Sequence, residues 1–169
     1  MSRWKIFCSV VMLEVLRRRI LAPLLGLLRE GLAPKDLALC IALGSGFGIF
    51  PVLGVSTPVL TAIALIRKLN LVAIQLASWL IAPVQLVLII PFMRLGEWLT
   101  GSTPQPLTVE AGMQILGEGV LQAIVTLWDA IVHATLGWSV VAPLAIFLLY
   151  RLLTPILTAA AARLSGPDR

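Results

Sequence analysis

The chain has 169 residues, of which 59% are hydrophobic and only 12% are charged, and its mean hydropathy is +1.01. A soluble domain of this length does not bury so much apolar surface, so the composition argues against a soluble globular enzyme. The net charge of +5 comes from Lys and Arg near the ends of the apolar segments, as expected for contacts with anionic lipid headgroups. Because no basic run is interleaved with aromatic residues, nucleic acid is not an expected partner.

The N-terminal segment carries apolar side chains at helical spacings together with clusters of Arg and Lys. This pattern predicts that residues 1–33 form a basic amphipathic helix on the cytoplasmic face of a membrane. A full span is disfavoured because Glu14 and the three arginines at 17–19 would then lie at bilayer depth, where each charge costs ~2.5 to 3.5 kcal/mol.

The uncharged segment 37–66 would be ~45 Å long as one straight helix, whereas the hydrocarbon core of a bilayer is ~30 Å thick. Its glycines and prolines are concentrated in the middle, which predicts an interruption there. The two arms, of about fourteen residues each, are flanked by Lys35 on one side and by Arg67 and Lys68 on the other. We therefore expect a re-entrant hairpin with both ends cytoplasmic. The predicted breaks in this segment are Gly44, Gly48, Pro51 and Pro58.

A second uncharged segment, 71–93, repeats this design with Pro83 at its centre. The pattern is compatible with a kinked span or with a second hairpin, and Pro83 is the fifth predicted break. Interruptions at corresponding places of two successive apolar segments point to a site formed by broken helices at membrane depth.

Residues 95–150 contain neither Lys nor Arg, which is typical of a non-cytoplasmic segment and favours a kinked span for residues 71–93. Within them, residues 102–133 predict a non-cytoplasmic amphipathic helix. Residues 134–169 predict a C-terminal transmembrane helix and a short basic tail, so both termini are expected to be cytoplasmic. Together the segments predict an all-α integral membrane protein, a helical bundle with Pro/Gly-broken or re-entrant helices and interfacial amphipathic helices.

Residues 34–101 also carry a set of motifs at characteristic distances. The set comprises Pro34 before an Ala/Leu-rich helix, GSGFGIFPVLGVST at 44–57, Arg67 and Asn70, SWLIAP at 78–83 and RLG at 94–96. It resembles the bacterial membrane family called domain of unknown function 2062 (DUF2062). The chain departs from that family at Ala82, because an Asn usually precedes the proline matched to Pro83.

The resemblance implies a protein of broken helices in the bacterial inner membrane and assigns no activity. Members of the family are sometimes fused to glycosyltransferases that act on lipid carriers. The resemblance therefore also implies a setting in polyprenyl-phosphate or envelope-glycan metabolism.

The polar residues near the predicted breaks are the candidate ligand site. Broken helices in hydrocarbon must turn their unpaired backbone groups toward protein, water or a ligand. A helix that restarts near Pro58, with Ser56 or Thr57 as its N-cap, presents free amides that suit a phosphate or a carboxylate. The alternative is that these polar groups only satisfy the breaks internally. The candidate ligand-binding residues are Gly54, Ser56, Thr57, Gln75, Ser78 and Gln85.

Two further pairs are predicted from their spacing. Arg94 and Glu97, three residues apart, are expected to form a charge pair on one helical face. Gly44 and Gly48 form a GxxxG face for close helix packing, and the same face is a candidate contact for a homo-oligomer.

The sequence contains no recognisable set of side chains for catalysis or metal binding. Cys8 and Cys40 have no partner at the spacing of zinc ligands. Asp129 and His133, four residues apart, can form either a proton relay or an interfacial polar contact. Because no acid–base pair is visible, we expect no enzymatic activity, no metal and no cofactor.

Two functions stay open. The first is the binding or translocation of an anionic lipid or a polyprenyl-phosphate carrier in envelope biogenesis, with membrane lipids as the partners. The second is a non-catalytic membrane scaffold, or partner-binding module, for an envelope-glycan enzyme.

Overall fold

The computed structural model of the protein describes residues 26, 32–52, 54–104 and 120–164. Within these ranges the chain forms four α-helices and no strand, which confirms the all-helical prediction. Almost all of the helix predicted for residues 1–33, and residues 105–119 of the predicted amphipathic helix, lie outside the described residues. The helices are α1 (Pro34–Gly48), α2 (Ser56–Arg67), α3 (Leu71–Thr100) and α4 (Val120–Leu164).

The apolar segment 37–66 is interrupted between α1 and α2, as its composition predicts. α1 begins with Pro34 at its first helical position, where a missing N–H costs no intrahelical hydrogen bond. The interruption lies between Gly48, where α1 ends, and Ser56, where α2 begins. Gly54 adopts a positive φ of 85° there, a conformation that glycine takes at little cost.

The predicted breaks in this segment have different roles. Pro51 lies inside the interruption, and Gly48 is the last residue of α1. Pro58 lies in the first turn of α2, where proline is tolerated and does not end the helix. The prediction of a break at Gly44 is wrong, because Gly44 lies inside α1 and its missing side chain allows close packing against α3.

A three-residue junction reverses the chain between α2 and α3. The amides of Lys68 and Leu69 donate to carbonyls in the last turn of α2, which closes that helix with a Schellman motif. Lys68 takes a left-handed φ of 54° to do so. The side chain of Asn70 accepts a hydrogen bond of 2.9 Å from the amide of Ala73 and N-caps α3.

α3 is one continuous helix that includes Pro83 and Pro91. The predicted break at Pro83 is therefore wrong, and so is a second hairpin. Pro83 removes only one donor, the one that would bond the carbonyl of Trp79, and it lies on the exposed side of α3, where its ring has room. At 1.5 Å per residue α3 is ~45 Å long.

α4 is also continuous and is ~67 Å long. The predicted boundary between residues 133 and 134, from an amphipathic helix to a separate span, is wrong. The side-chain pattern changes there from amphipathic to apolar, but no turn-forming residue interrupts the backbone. Gly137, the nearest glycine, lies against the backbone of Phe92 on α3 and serves the helix contact.

Close approach of α1 to α3 depends on glycine. A Cβ at Gly44 would collide with the carbonyl oxygen of Ile74, and one at Gly48 would meet the backbone of Ser78. The predicted GxxxG packing face is therefore confirmed, with α3 of the same chain as its partner. The homo-oligomer contact expected through the same face stays a prediction.

The helices give the bundle two chemically different ends. A buried cluster joins α1, α2, the start of α3 and the last third of α4 through Leu37, Leu60, Ile74 and Leu157. Because α1 begins, and α2 and α4 end, beside this cluster, their basic residues lie at one end of the bundle. We call this the basic end, and it carries Lys35, Arg67, Lys68 and Arg163.

The opposite end is held by α3 and α4 alone among the described helices. Phe92 and Met93 of α3 pack against Ala134 of α4, and Gly101, with a φ of 68°, ends α3. Since α3 and α4 run antiparallel, the acidic residues Glu97 and Asp129 both lie toward this end.

Candidate functional site

The interruption at residues 49–55, which we call the hairpin tip, leaves the last carbonyls of α1 without helical partners. Trp138 of α4 donates its Nε1–H to the carbonyl of Gly46 over 2.9 Å. The amides of Ile49 and Phe50 donate to carbonyls in the last turn of α1. The end of α1 is therefore satisfied from within the protein.

Gln85 of α3 satisfies the tip itself. Its Nε2 donates to the carbonyl oxygen of Phe50 over 2.6 Å, and the residue is only 5% exposed. A buried carbonyl without a donor costs ~1–3 kcal/mol, so this bond stabilises the interruption. The role of Gln85 agrees with the alternative in which polar side chains satisfy the breaks internally.

Gln75 ties α3 to the start of α2. Its Nε2 donates to the carbonyl of Thr57 and to the hydroxyl of Thr61, both over 3.1 Å. Its other amide atom, Oε1, is buried and has no hydrogen-bond partner among the described residues. Gln75 is thus a structural tie with one unused acceptor.

The start of α2 differs from the prediction. Val55, in a helical conformation, is the N-cap and makes no side-chain capping bond, whereas Ser56 and Thr57 are already the first two residues of the helix. The prediction that one of these hydroxyls caps α2 is therefore wrong. Ser56 is buried, at 8% exposed, and Thr57 is exposed. As first-turn residues, both have amides without an acceptor inside the helix.

A small apolar pocket lies beside the tip, and we call it the tip pocket. Its volume is about 100 Å³. The ring of Trp138 forms one wall and makes edge contacts with Phe47 and Phe50, at centroid distances of 5.3 and 4.8 Å. The described residues that line it are Phe47, Phe50, Val55, Ser56, Val59 and Trp138.

The six candidate ligand residues are only partly brought together. Ser56 lines the tip pocket, and Gln85 bonds the tip. Ser78 is buried beneath Gly48 at the contact between α1 and α3. The other three residues are outside the pocket lining. Gly54 and Thr57 are exposed, and Gln75 ties α3 to α2.

The aromatic wall of the pocket was missed by sequence reasoning. Phe47 and Phe50 lie among glycines and a proline. Aromatic residues beside a predicted break are a signal from which this wall could have been predicted. Trp138 gave no such signal, because it is 92 residues from the carbonyl that it bonds and its position suggests only an interfacial anchor.

The predicted charge pair is present toward the end of the bundle opposite the basic end. Arg94 Nη1 lies 2.8 Å from Glu97 Oε2, and the carboxylate side chain is 3% exposed while the Arg94 side chain is 39% exposed. A buried carboxylate requires such a partner. The pair therefore holds Glu97 in the contact between α3 and α4.

His133 forms a polar contact between α3 and α4 near this pair. Its Nδ1 lies 2.8 Å from the carbonyl of Asp129, and its Nε2 lies 3.1 Å from the Thr100 hydroxyl and 3.2 Å from that of Ser102. The ring is buried. The Nε2 contacts therefore link α4 to the C-terminal end of α3, while the spacing of four places Asp129 and His133 side by side on α4.

Comparison with known proteins places the chain in a family. α3 and residues 125–163 of α4 are long and apolar enough to cross a membrane. No curated protein and no solved structure matches the chain. The sequence profile of a family described as an uncharacterized protein conserved in bacteria, DUF2062, matches residues 17–164, a longer stretch than the motifs at 34–101 cover. The chain therefore belongs to the DUF2062 family.

Proposed function

We propose that the protein is integral to the bacterial inner membrane, with α3 and α4 crossing the bilayer and the α1–α2 hairpin entering it from the cytoplasmic side. The distribution of charge supports this orientation, because basic residues gather at the end where α1 begins and α2 ends. The depth of the tip supports re-entry. Gln85, which bonds Phe50, is fourteen residues into α3, or ~21 Å along a helix of ~45 Å.

We further propose that the protein holds a phosphorylated lipid, of the polyprenyl-phosphate class, at the hairpin tip and does so without catalysis. The observation that carries this proposal is the apolar tip pocket beside the start of α2, with Ser56 among the described residues that line it. The pocket suits part of an isoprenoid chain. The amides of Ser56 and Thr57, which have no acceptor inside the helix, and the positive dipole end of α2 suit the phosphate.

Binding to the purified full-length chain in detergent tests the proposal. Native mass spectrometry would compare a polyprenyl phosphate with the corresponding polyprenol, and the phosphate is expected to be retained more strongly. Ser56→Ala is expected to weaken retention of the phosphate by ~1–3 kcal/mol, the cost of an unpaired buried polar group. Filling the pocket with Val59→Phe is expected to weaken retention of both lipids.

Thr57→Val is the matched control, because Thr57 neighbours Ser56 but is exposed and outside the pocket lining. It is expected to leave retention unchanged. Equal retention of phosphate and alcohol, or equal loss in the Ser56 and Thr57 variants, would contradict a phosphate site at this helix end. Transfer of labelled lipid between the leaflets of vesicles would then show whether binding serves translocation.

A scaffold function is the second candidate, and the tethering of the tip favours it. Trp138, Gln75 and Gln85 fix the interruption with hydrogen bonds to backbone carbonyls, as a rigid platform for another membrane protein requires. Failure of the folded wild-type chain to retain either lipid would leave the scaffold as the better proposal.

A further inference from the structure

A groove lies on α3 at the basic end, away from the tip pocket. Its volume is about 270 Å³, and its wall is almost entirely apolar. Two of its side chains are strongly exposed, Val72 at 67% and Trp79 at 66%. We call it the α3 groove, and it is lined by Leu71, Val72, Gln75, Leu76 and Trp79.

Two cations stand immediately before this groove in the chain. Arg67 is the last residue of α2, and Lys68 is its C-cap. Lys68 precedes Leu71, the first residue of the groove, by three positions. Both side chains are exposed. The Schellman bonds at the end of α2 fix the backbone of Lys68. Its side chain therefore extends from a backbone position that is fixed relative to the groove. The groove and the cations together match a molecule with an apolar chain and a negative head.

Beside the groove, Gln75 places a hydrogen-bond acceptor without a partner in the described part of the chain. Its Oε1 has no hydrogen-bond partner among the described residues, while its Nε2 is used by α2. Gln75 lies four residues into α3, or ~6 Å from its start, which is the depth of a lipid headgroup and glycerol region if α3 begins at the membrane surface. Because Oε1 is buried beneath the groove wall, the amide has to turn before a headgroup hydroxyl can donate to it.

We propose that the α3 groove and Lys68 form a binding site for an anionic glycerophospholipid with a hydroxyl-bearing headgroup. One acyl chain lies along Val72 and Trp79, the phosphate pairs with Lys68, and a headgroup hydroxyl donates toward Gln75. This site shares no residue with the tip pocket. The proposal rests on the membrane orientation of α3 proposed above but not on a lipid at the hairpin tip, so either lipid site can fail while the other stands.

Site-specific crosslinking in a mixed bilayer tests the proposal. The full-length chain would carry a benzophenone side chain at Val72 or, as a matched control, at Val87, which lies on the same helix, is 71% exposed and is outside the groove. The vesicles would contain equal amounts of phosphatidylglycerol and phosphatidylcholine, and mass spectrometry would identify each lipid adduct. The ratio of phosphatidylglycerol to phosphatidylcholine adducts is expected to be about fivefold higher at position 72 than at 87, as one basic residue near the surface predicts.

Lys68→Asn removes the charge and keeps a residue that tolerates the left-handed backbone of this position. It is expected to reduce the adduct ratio at position 72 by about fivefold and to leave position 87 unchanged. Arg151→Gln, a change at an exposed cation of α4, is expected to alter neither. An equal lipid ratio at the two positions, or an unchanged ratio at position 72 in Lys68→Asn, would overturn the proposal.

Discussion

The apolar segments 37–66 and 71–93 both contain central prolines flanked by polar residues, yet only the first is interrupted. In the first, Pro51 and Gly54 lie within a few residues of each other. Trp138 and Gln85 donate hydrogen bonds to the backbone carbonyls that the interruption leaves without helical partners. The second contains no glycine, and Pro83 lies on an exposed side of the helix. A break therefore requires both a concentration of glycine and proline and donors on neighbouring helices that can satisfy the open backbone.

The same comparison separates two uses of glycine. Gly54 permits a positive φ at the tip, whereas Gly44 permits contact between α1 and α3. The hairpin thus depends on one glycine for its turn and on another for its seat against α3.

The largest expected effect comes from a methyl group at Gly44. Gly44→Ala places a Cβ against the backbone of Ile74 on α3, and the two helices must separate to accept it. The free energy of unfolding is expected to fall by ~1–3 kcal/mol or more. Gly26→Ala is the control, because a Cβ there meets no atom within 4 Å and no loss is expected. Thermal unfolding in detergent measures both variants, and an equal loss would show that the hairpin is not seated by backbone contact.

The next effect is expected at the donors to the tip. Gln85→Leu leaves the carbonyl of Phe50 buried without its donor, and the free energy of unfolding is expected to fall by ~1–3 kcal/mol. Gln75→Leu is the comparison variant, since its bond to Thr57 is exposed, and a smaller loss is expected. Chemical unfolding monitored by circular dichroism gives both values. A larger loss for Gln75→Leu would place the main support of the hairpin at the start of α2 and not at the tip.

The smallest effect separates the two prolines. Pro83→Ala restores an amide donor for the carbonyl of Trp79, and the free energy of unfolding is expected to rise by ~0.5–1.5 kcal/mol. Pro51→Ala frees a buried turn residue in the unfolded chain and is expected to lower it by ~0.4–1 kcal/mol. The same unfolding measurement compares them. Effects of the same sign would mean that the two prolines serve the fold in the same way.

The sequence predicts the hairpin and the charge pair because both depend on local patterns. The interruption follows from neighbouring glycines and prolines, and the pairing of Arg94 with Glu97 follows from their spacing of three. The continuity of α4 could not be predicted in this way, because the change from an amphipathic to an apolar pattern resembles a boundary although the helix continues through it.

The composition of the candidate site was predictable only in part. Gln85 could be identified as a polar residue near a break, but its partner, Phe50, is 35 residues away, and the pairing depends on how α1 packs on α3. The capping role predicted for Ser56 and Thr57 failed because Val55 is the N-cap and the helix begins at Ser56. The pairing of Gln85 with Phe50 depends on contacts between helices that are distant in the chain. Residue spacing in a single sequence does not predict such contacts.

Cysteine accessibility in intact cells tests the central claim, that the hairpin tip lies inside the bilayer, most directly. Single cysteines would replace Lys35, Val55 or Thr103 in a chain whose Cys8 and Cys40 are changed to Ala, and a membrane-impermeant maleimide would be applied before and after the cytoplasmic side is opened. The account predicts that position 103 reacts from outside, that position 35 reacts only after opening, and that position 55 reacts in neither case. Reaction at position 55 from outside, as fast as at position 103, would contradict it by making the first apolar segment a full crossing.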